Sequence, residues 1–319
     1  MTAPFWTFLC GSVLLAMLLD WFWGEPHAQV HPVVWMGRYL GWVSARFAPL
    51  HEEGSSGAKV KSFTFGALFW LLGGLIVLIT AWLLQVWTLR VSWWLALGVT
   101  GFFLNSVFSL KLLINEVLQV DIALNQSLDQ GRTQLKRLVS RDVSNLSDVQ
   151  IRESAIESLA ENLNDSFVAP LFWFLLGGLP AAALYRFANT ADAMWGYKGF
   201  YGRYHLTWFG KWTARADDLL SWAPALISTV LICLVSRSFK FKKIMTEATK
   251  TPSPNGGWPM GAMAIALGVK LSKPNVYVLN PQGQYASAYS VGQACQIARH
   301  IFIFIFVVTL MTAILSLVR

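Results

Sequence analysis

Four acids recur at intervals of four along one stretch of this chain: Glu153, Glu157, Glu161 and Asp165. On a helix turning about 100° per residue, each is offset by about 40° from the last, so together they make one slanted stripe. Ile151, Ala155, Ile156, Leu159, Ala160 and Leu163 fill the opposite arc, which makes the expected helix amphipathic. An acidic stripe is ordinarily a solvated face. Here, however, like charges at i,i+4 cost roughly 0.2–0.5 kcal/mol per pair, and no Lys or Arg sits on the stripe to relieve them. The repulsion asks for a cation from outside the helix, either a basic partner segment or a divalent metal with a phosphorylated ligand.

Residues able to do chemistry gather in three further places. Asp20, Glu25, His27 and His31 crowd a turn in which Gly24, Pro26, Pro32 and Gly37 break helix continuation. Residues 187–218, rich in Gly and aromatics, offer Asn189, Asp192, Lys198, Arg203, Tyr204, Arg215, Asp217 and Asp218. A Pro-Asn-Gly-Gly-Trp-Pro run reads as a tight turn before a short helix from Met260. Backbone N–H groups at such a helix start, here Asn255, Gly256 and Gly257, suit a phosphate. The sequence holds no GxxxxGK[ST] loop, which argues against a P-loop nucleotide site. Cys10, Cys233 and Cys295 have no metal-ligand spacing and support no disulfide framework.

The elements that must position these residues are membrane helices. Apolar residues make up 55% of the 319 and charged residues only 13%, with a mean hydropathy of +0.48; this is the membrane class. Many of the 16 Trp, among them Trp21, Trp23, Trp87, Trp93 and Trp94, flank charge-free runs, as interfacial aromatics do. The net charge of +8 suits loops facing an anionic leaflet and points away from nucleic acid, because no basic run exceeds a few residues. Spans are expected at about 4–23, 63–89, 91–110 and 301–318. The N-terminal stretch lacks a basic n-region and is read as a retained helix. Residues 44–63 read as a polar linker with a Gly-Ser-Ser-Gly tip, and the helix continuing past Lys111 is expected to end at Gly131.

Segments 166–186 and 219–236 are apolar but interrupted by Pro170, Gly177, Gly178, Pro180 and Pro224. Broken helices at membrane depth are tolerated only where buried in protein or lining a cavity. The expectation is therefore an all-α polytopic membrane protein, one integral domain over 1–319. It should have four to six embedded helices, two of them Pro/Gly-broken, plus amphipathic cytoplasmic helices. Loops 24–62, 111–165 and 237–299 carry most Lys and Arg, which places them in the cytoplasm and the N-terminus outside. If 166–186 and 219–236 both span, residues 187–218 face the other side. If neither spans fully, all four clusters share one side, and the Pro and Gly breaks favour that arrangement.

Four blocks carry a family resemblance. LLDWFWGEPHAQVHPVVWMG, SRDVSNLSDVQIRESAIESLAENLNDSFVAPLFWFLLGGLPAAALYRFANTADAMWGYK, ARADDLLSWAPA and SPNGGWPMGAMAIALGVKL resemble, in order, the motif blocks of the CobD/CbiB membrane proteins of cobalamin biosynthesis. The chain departs from the pattern at Leu226, where the family's Pro-Ala-Arg has Arg. The resemblance implies an adenosylcobinamide-phosphate synthase of the bacterial inner membrane, with its active site facing the cytoplasm. Such an enzyme joins adenosylcobyric acid to aminopropanol or its phosphate with ATP and Mg2+. A regulatory or sensory paralogue, as in AmpE-type membrane proteins, is the alternative, and a homo-oligomer is compatible with either.

Amide formation from a carboxylate needs that carboxylate activated, most simply by phosphoryl transfer from ATP. It calls for magnesium on the phosphates, cations on the developing charge and a base for the amine. Glu157, Glu161 and Asp165 are the first candidates for metal, then Asp192, Asp217 and Asp218. Arg141, Lys198, Arg203 and Arg215 are candidate phosphate ligands, with Asn255, Gly256 and Gly257 offering backbone donors. His31 has the chemistry of a base, and equally of a structural hydrogen-bond partner. A prenyltransferase would call for aspartates at D-x-x-x-D spacing, and a transporter for charges inside its spans; neither pattern is present.

Overall fold

The computed structural model describes residues 5–318; residues 1–4, where the first expected span begins, lie outside the described residues. The chain is helical almost throughout and divides into two compact units. Six helical stretches are long and apolar enough to cross a membrane: Phe5–Phe22, Ser56–Thr88, Trp93–Gln126, Asp148–Trp195, Lys211–Ser236 and Ala288–Val318. The all-α membrane architecture is as the sequence implies.

The first unit holds α1 (Phe5–Phe22), α2 (Pro32–Phe47), α3 (Ser56–Thr88), α4 (Trp93–Asn105) and α8 (Ala169–Trp195). It also holds a hairpin of β1 (Phe200–Tyr201) and β2 (Tyr204–His205), and the start of α9 (Lys211–Ser236). Leu68, Leu71, Leu75, Ile79 and Leu83 of α3 all face outward. An apolar face that wide needs lipid rather than water. The other side of α3 is faced with glycine and takes α8 at close range. A Cβ on Gly66 would lie 1.9 Å from the Phe209 carbonyl oxygen, and one on Gly73 would strike the rings of Tyr39 and Phe187.

α8 is broken where the sequence places the break. Gly177 leaves helical geometry, and Gly178 has φ +68°, ψ −158°. The amide of Leu179, freed by the kink, donates to Gln85 Oε1 at 2.9 Å. Gly178 thus sits by Gln85, Leu184 by Gly74 and Phe187 by Gly73, so the second arm of α8 runs antiparallel to α3. It delivers the β1–β2 hairpin to the end of α3 that also carries loop 48–55. There His205 Nδ1 meets Glu53 Oε2 at 2.6 Å, and the His205 amide donates to the Pro49 carbonyl at 2.8 Å. Loop 48–55 and the β1–β2 hairpin therefore share one end of this unit, whereas the turn before Pro32 lies further along α3, where Pro32 lines a cavity with Thr80 and Leu84.

The second unit holds α5 (Leu110–Gln126), α6 (Leu128–Leu135), α7 (Asp148–Leu163), α10 (Phe241–Ala248), α11 (Gly257–Leu267) and most of α12 (Ala288–Val318). A π-helical turn, Asn164–Val168, succeeds α7. A second hairpin pairs β3 (Leu271–Lys273) with β4 (Tyr277–Leu279). Residues 166–185, the charge-free part of the run from Asp148 to Trp195, come after the acids of α7.

Several boundaries differ from the sequence reading. The supposed linker 44–63 is largely helix, because Ser55 caps α3 by accepting from the Ala58 amide. Gly37 lies within α2 and Gly131 within α6. The helix past Lys111 ends at Ser127, whose hydroxyl accepts from Gln130 and starts α6; Gly131 is glycine because a Cβ would press on Leu124. A break at 106–109 separates α4, which ends at Asn105, from α5 within the third long stretch, and α12 begins thirteen residues before 301. Pro224 does not interrupt α9. Proline leaves the carbonyl four residues earlier without its partner, and here the indole of Trp173 donates to that Leu220 oxygen at 3.1 Å.

Candidate active site

The acid-bearing helix starts on a capping box. Ser147 Oγ accepts from the Gln150 amide while the Gln150 side chain accepts from the Ser147 amide, so two of the donors that every helix start leaves open are satisfied. Ile151, Ala155, Ile156, Leu159, Ala160 and Leu163 are all fully buried. That packing fixes the rotation of α7 and turns Glu153, Glu157 and Glu161 toward the preceding loop and the β3–β4 hairpin.

Glu157 and Glu161 line a cavity of about 160 Å³, together with Arg141, Ser154, Ser158, Asn162, Lys273 and Tyr277. Arg141 Nη2 reaches Glu157 Oε2 at 3.3 Å and also donates to the Ser154 hydroxyl. The cation sought for the stripe is therefore a basic partner segment in at least this position. Glu157 is only 5% exposed, and its Oε1 has no hydrogen-bond partner; neither has Arg141 Nε. Burial pushes the Glu157 carboxyl up to about 7, against the opposing pull of Arg141. Tyr277 is held above the ordinary phenol range, first by burial and then by Glu157 and Glu161. Glu161 opens to solvent at the cavity mouth. A Cβ on Gly256 would lie 3.1 Å from Glu161 Oε1, so the glycine keeps space beside that carboxylate.

One turn nearer the start of α7, Glu153 lines a second cavity of about 280 Å³ with Ser147, Gln150, Lys270, Ser272 and Tyr285. Glu153 is fully buried. Its Oε2 accepts from the Ser272 amide at 3.1 Å and from the Ser272 hydroxyl. Its Oε1 has no partner. Lys270 Nζ lies 4.5 Å from the centroid of the Tyr285 ring, and burial raises the Glu153 carboxyl while Ser272 and Lys270 oppose it.

The fourth acid leaves the stripe. Asp165 falls in the π-helical turn, whose extra residue rotates the chain beyond it away from ideal α-helical phase. It accepts from Asn164 Nδ2 at 2.8 Å and does not line the cavity. Asn255 Oδ1 accepts from the Gly256 amide at 2.6 Å, so one expected phosphate donor is already engaged. Gly257 is glycine for packing, since a Cβ would meet the Ala248 carbonyl at 2.3 Å.

The remaining candidates belong to the first unit. His31 caps α2, its Nδ1 accepting from the Val33 amide at 3.3 Å and its Nε2 lying 3.5 Å from Glu25; both ring nitrogens serve the turn. Asn189 Nδ2 reaches Asp217 Oδ1 at 3.5 Å. Gly196 closes onto Asp192, where a Cβ would overlap the carboxylate. Arg203 lies over the Tyr204 ring and donates to its hydroxyl at 2.7 Å. Lys198 is exposed, Asp218 is half-buried on α9, and Arg215 lines a separate basic cavity with Lys59 and Lys211. No group of three or more His, Cys, Asp or Glu is arranged to hold a metal among the described residues.

Lys270, Ser272, Lys273, Tyr277 and Tyr285 escaped the sequence reading. The signal was short but present. Leu271 and Lys273 pair with Leu279 and Tyr277 across a Pro-Asn turn whose Asn275 has φ +61°, so period-two alternation puts Lys273 and Tyr277 on one face.

A family model described as CobD/Cbib protein matches residues 13–303. Among curated proteins, the chain is 37% identical over 273 residues to the probable cobalamin biosynthesis protein CobD of Methanothermobacter thermautotrophicus, covering 84% of this chain and 85% of that one. It is 39% identical over 264 residues to the probable CobD of Thermococcus kodakarensis, with 83% of each covered. To the cobalamin biosynthesis protein CobD of Dehalococcoides mccartyi it is 33% identical over 278 residues, covering 83% of this chain and 85% of that one. No solved structure matches.

Proposed function

The chain belongs to the CobD/CbiB family of cobalamin biosynthesis proteins, and on that premise we propose that it forms an amide between adenosylcobyric acid and aminopropanol or aminopropanol phosphate, driven by ATP with Mg2+. One observation carries the reading. Glu157 is a buried carboxylate with an unpartnered oxygen, in a cavity it shares with a second acid, an arginine, a lysine and a phenol. A strongly perturbed acid in a polar cleft is where reaction chemistry is sought.

The donor set fits magnesium, which takes one or two carboxylates and completes its shell with water and phosphate oxygens; the free Glu157 oxygen and the space kept by Gly256 beside Glu161 suit that arrangement. When bound, the metal would supply positive charge to the nucleotide phosphates. Asp192, Asp217 and Asp218 of the first unit are the second candidate set. Arg141 and Lys273 would hold the phosphate oxygens, Arg141 turning toward them from its 3.3 Å contact with Glu157. In the neighbouring cavity, the free oxygen of Glu153 would take the ammonium of the amino alcohol and Lys270 its phosphate. Before the amine attacks, its ammonium must lose a proton; a buried carboxylate beside it is suited to accept one.

The test is complementation of a host lacking its own synthase, supplied with cobyric acid. Growth with the wild-type chain, lost in Glu157→Gln and Glu161→Gln variants that still reach the membrane folded, is the expected result. Absence of growth from wild-type protein verified as folded would overturn the synthase reading in favour of a regulatory paralogue.

A further inference from the structure

The entry ends of α3 and α9 enclose a cavity of about 350 Å³ in the first unit, lined by Lys59, Lys211 and Arg215 together with Ser56, Phe63 and Trp208. Lys211 Nζ lies 3.8 Å from the centroid of the Trp208 ring and Lys59 Nζ 5.9 Å from it. No acidic residue lines the cavity. Among the described residues none of these three cations forms an ion pair, whereas Arg132, Arg137, Arg141, Arg152 and Lys250 all do. Three like charges gathered around one cavity, two of them over one indole, repel one another without a counter-charge; a bound anion is the economical way to hold them there.

The place of the cavity says which anion. Lys59 is in the first turn of α3 and Lys211 is the first residue of α9, each a helix long and apolar enough to cross a membrane. Val60, beside Lys59, is 64% exposed, and the outward leucines of α3 begin two turns further on. The cations therefore stand where an apolar helix surface starts, with an indole at the same level, as at a membrane–water boundary. A ligand with an anionic head and an apolar tail matches both halves of that surface. Basic pockets between the ends of spanning helices suit lipid head groups for this reason.

We propose that Lys59, Lys211 and Arg215, arranged around Trp208, bind the phosphate-bearing headgroup of an anionic phospholipid. This assignment is independent of the amide-forming reaction, because it uses no residue of the α7 cavities.

The full chain is reconstituted into phosphatidylcholine nanodiscs with a rising fraction of phosphatidylglycerol, and phospholipid retention is counted by native mass spectrometry. Wild type should retain phosphatidylglycerol selectively. A Lys59→Gln/Lys211→Gln double variant should bind it roughly thirtyfold more weakly, the effect of removing two charges near a surface. Lys59→Arg/Lys211→Arg should restore retention, which separates loss of charge from misfolding. Equal retention by wild type and the Gln variant overturns the site. Thermal stabilisation of wild type by inorganic phosphate in pure phosphatidylcholine, lost in the Gln variant and without any phosphatidylglycerol preference, overturns the lipid and leaves a soluble phosphate as occupant.

Discussion

Glu157 is a carboxylate kept where water cannot solvate it fully, and its protonation is therefore linked to folding. Its folded value of about 7 lies above the ordinary carboxylate value of 4.5, so the native state binds this proton more tightly than the unfolded chain does. The resulting stability is fully present below pH 4.5 and is lost as pH rises toward 7. Thermal unfolding in detergent should accordingly show a falling melting temperature between those pH values, and Glu157→Gln should lack that part of the fall. The same variant keeps shape and removes repulsion within the stripe, so it should be as stable as wild type or more so near pH 7. The proposed synthase activity should drop roughly a hundredfold or more, the usual size of a lost charged contact to reacting groups. An unchanged rate would take Glu157 out of the site. Glu153 belongs to the neighbouring cavity, and on the proposed reaction Glu153→Gln should raise KM for the amino alcohol much more than it lowers kcat. Glu53 has the opposite sign. Burial works to raise it, but the neighbouring Ser62 hydroxyl, its own amide and the close contact with His205 together hold it below the ordinary range. Its contribution is present above pH 4.5 and is lost as pH falls further.

At the scale of elements, the helices are held at close range by glycine and by donors that serve broken segments. Trp173→Phe keeps the ring and removes the donor to the Leu220 carbonyl, leaving an acceptor exposed by Pro224 without a partner. A loss of about 1–3 kcal/mol is expected, read as a lower melting temperature. Gly66→Ala should be worse, because its Cβ meets a backbone carbonyl that cannot rotate away. These elements also mark how far the sequence was readable. The amphipathic α7 and the kink of α8 were legible because both arise from local rules, a 3.6-residue period and glycine beside proline. Gln85, which satisfies the kink, is 94 residues away in the chain and no local rule points to it. The π-helical turn that takes Asp165 off the stripe has no residue signature, and β3 and β4 are three residues each, too short for a strand pattern to stand out. Arg141 was legible as a cation for the site, but not as the partner of Glu157, since the loop that returns it to α7 is set by tertiary packing.

For the molecule as a whole, the antiparallel run of α8 along α3 makes a sidedness prediction. Single cysteines at His51 and Lys198, in a chain with Cys10, Cys233 and Cys295 replaced, should react with an impermeant thiol reagent from the same side of the membrane. Labelling from opposite sides would rule out the antiparallel arrangement of α3 and α8. The kink has one more consequence, concerning the order in which the chain is made. Ribosomal synthesis delivers α3 before α8, so Gln85 is already in the bilayer when Gly177 and Gly178 emerge. The exposed amide of Leu179 then meets its acceptor on arrival and need not enter hydrocarbon bare. A circular permutant that synthesised α8 first would offer the insertion machinery a bent, half-satisfied segment with nothing to dock on, and such a chain should be degraded even though every native contact remains available to it.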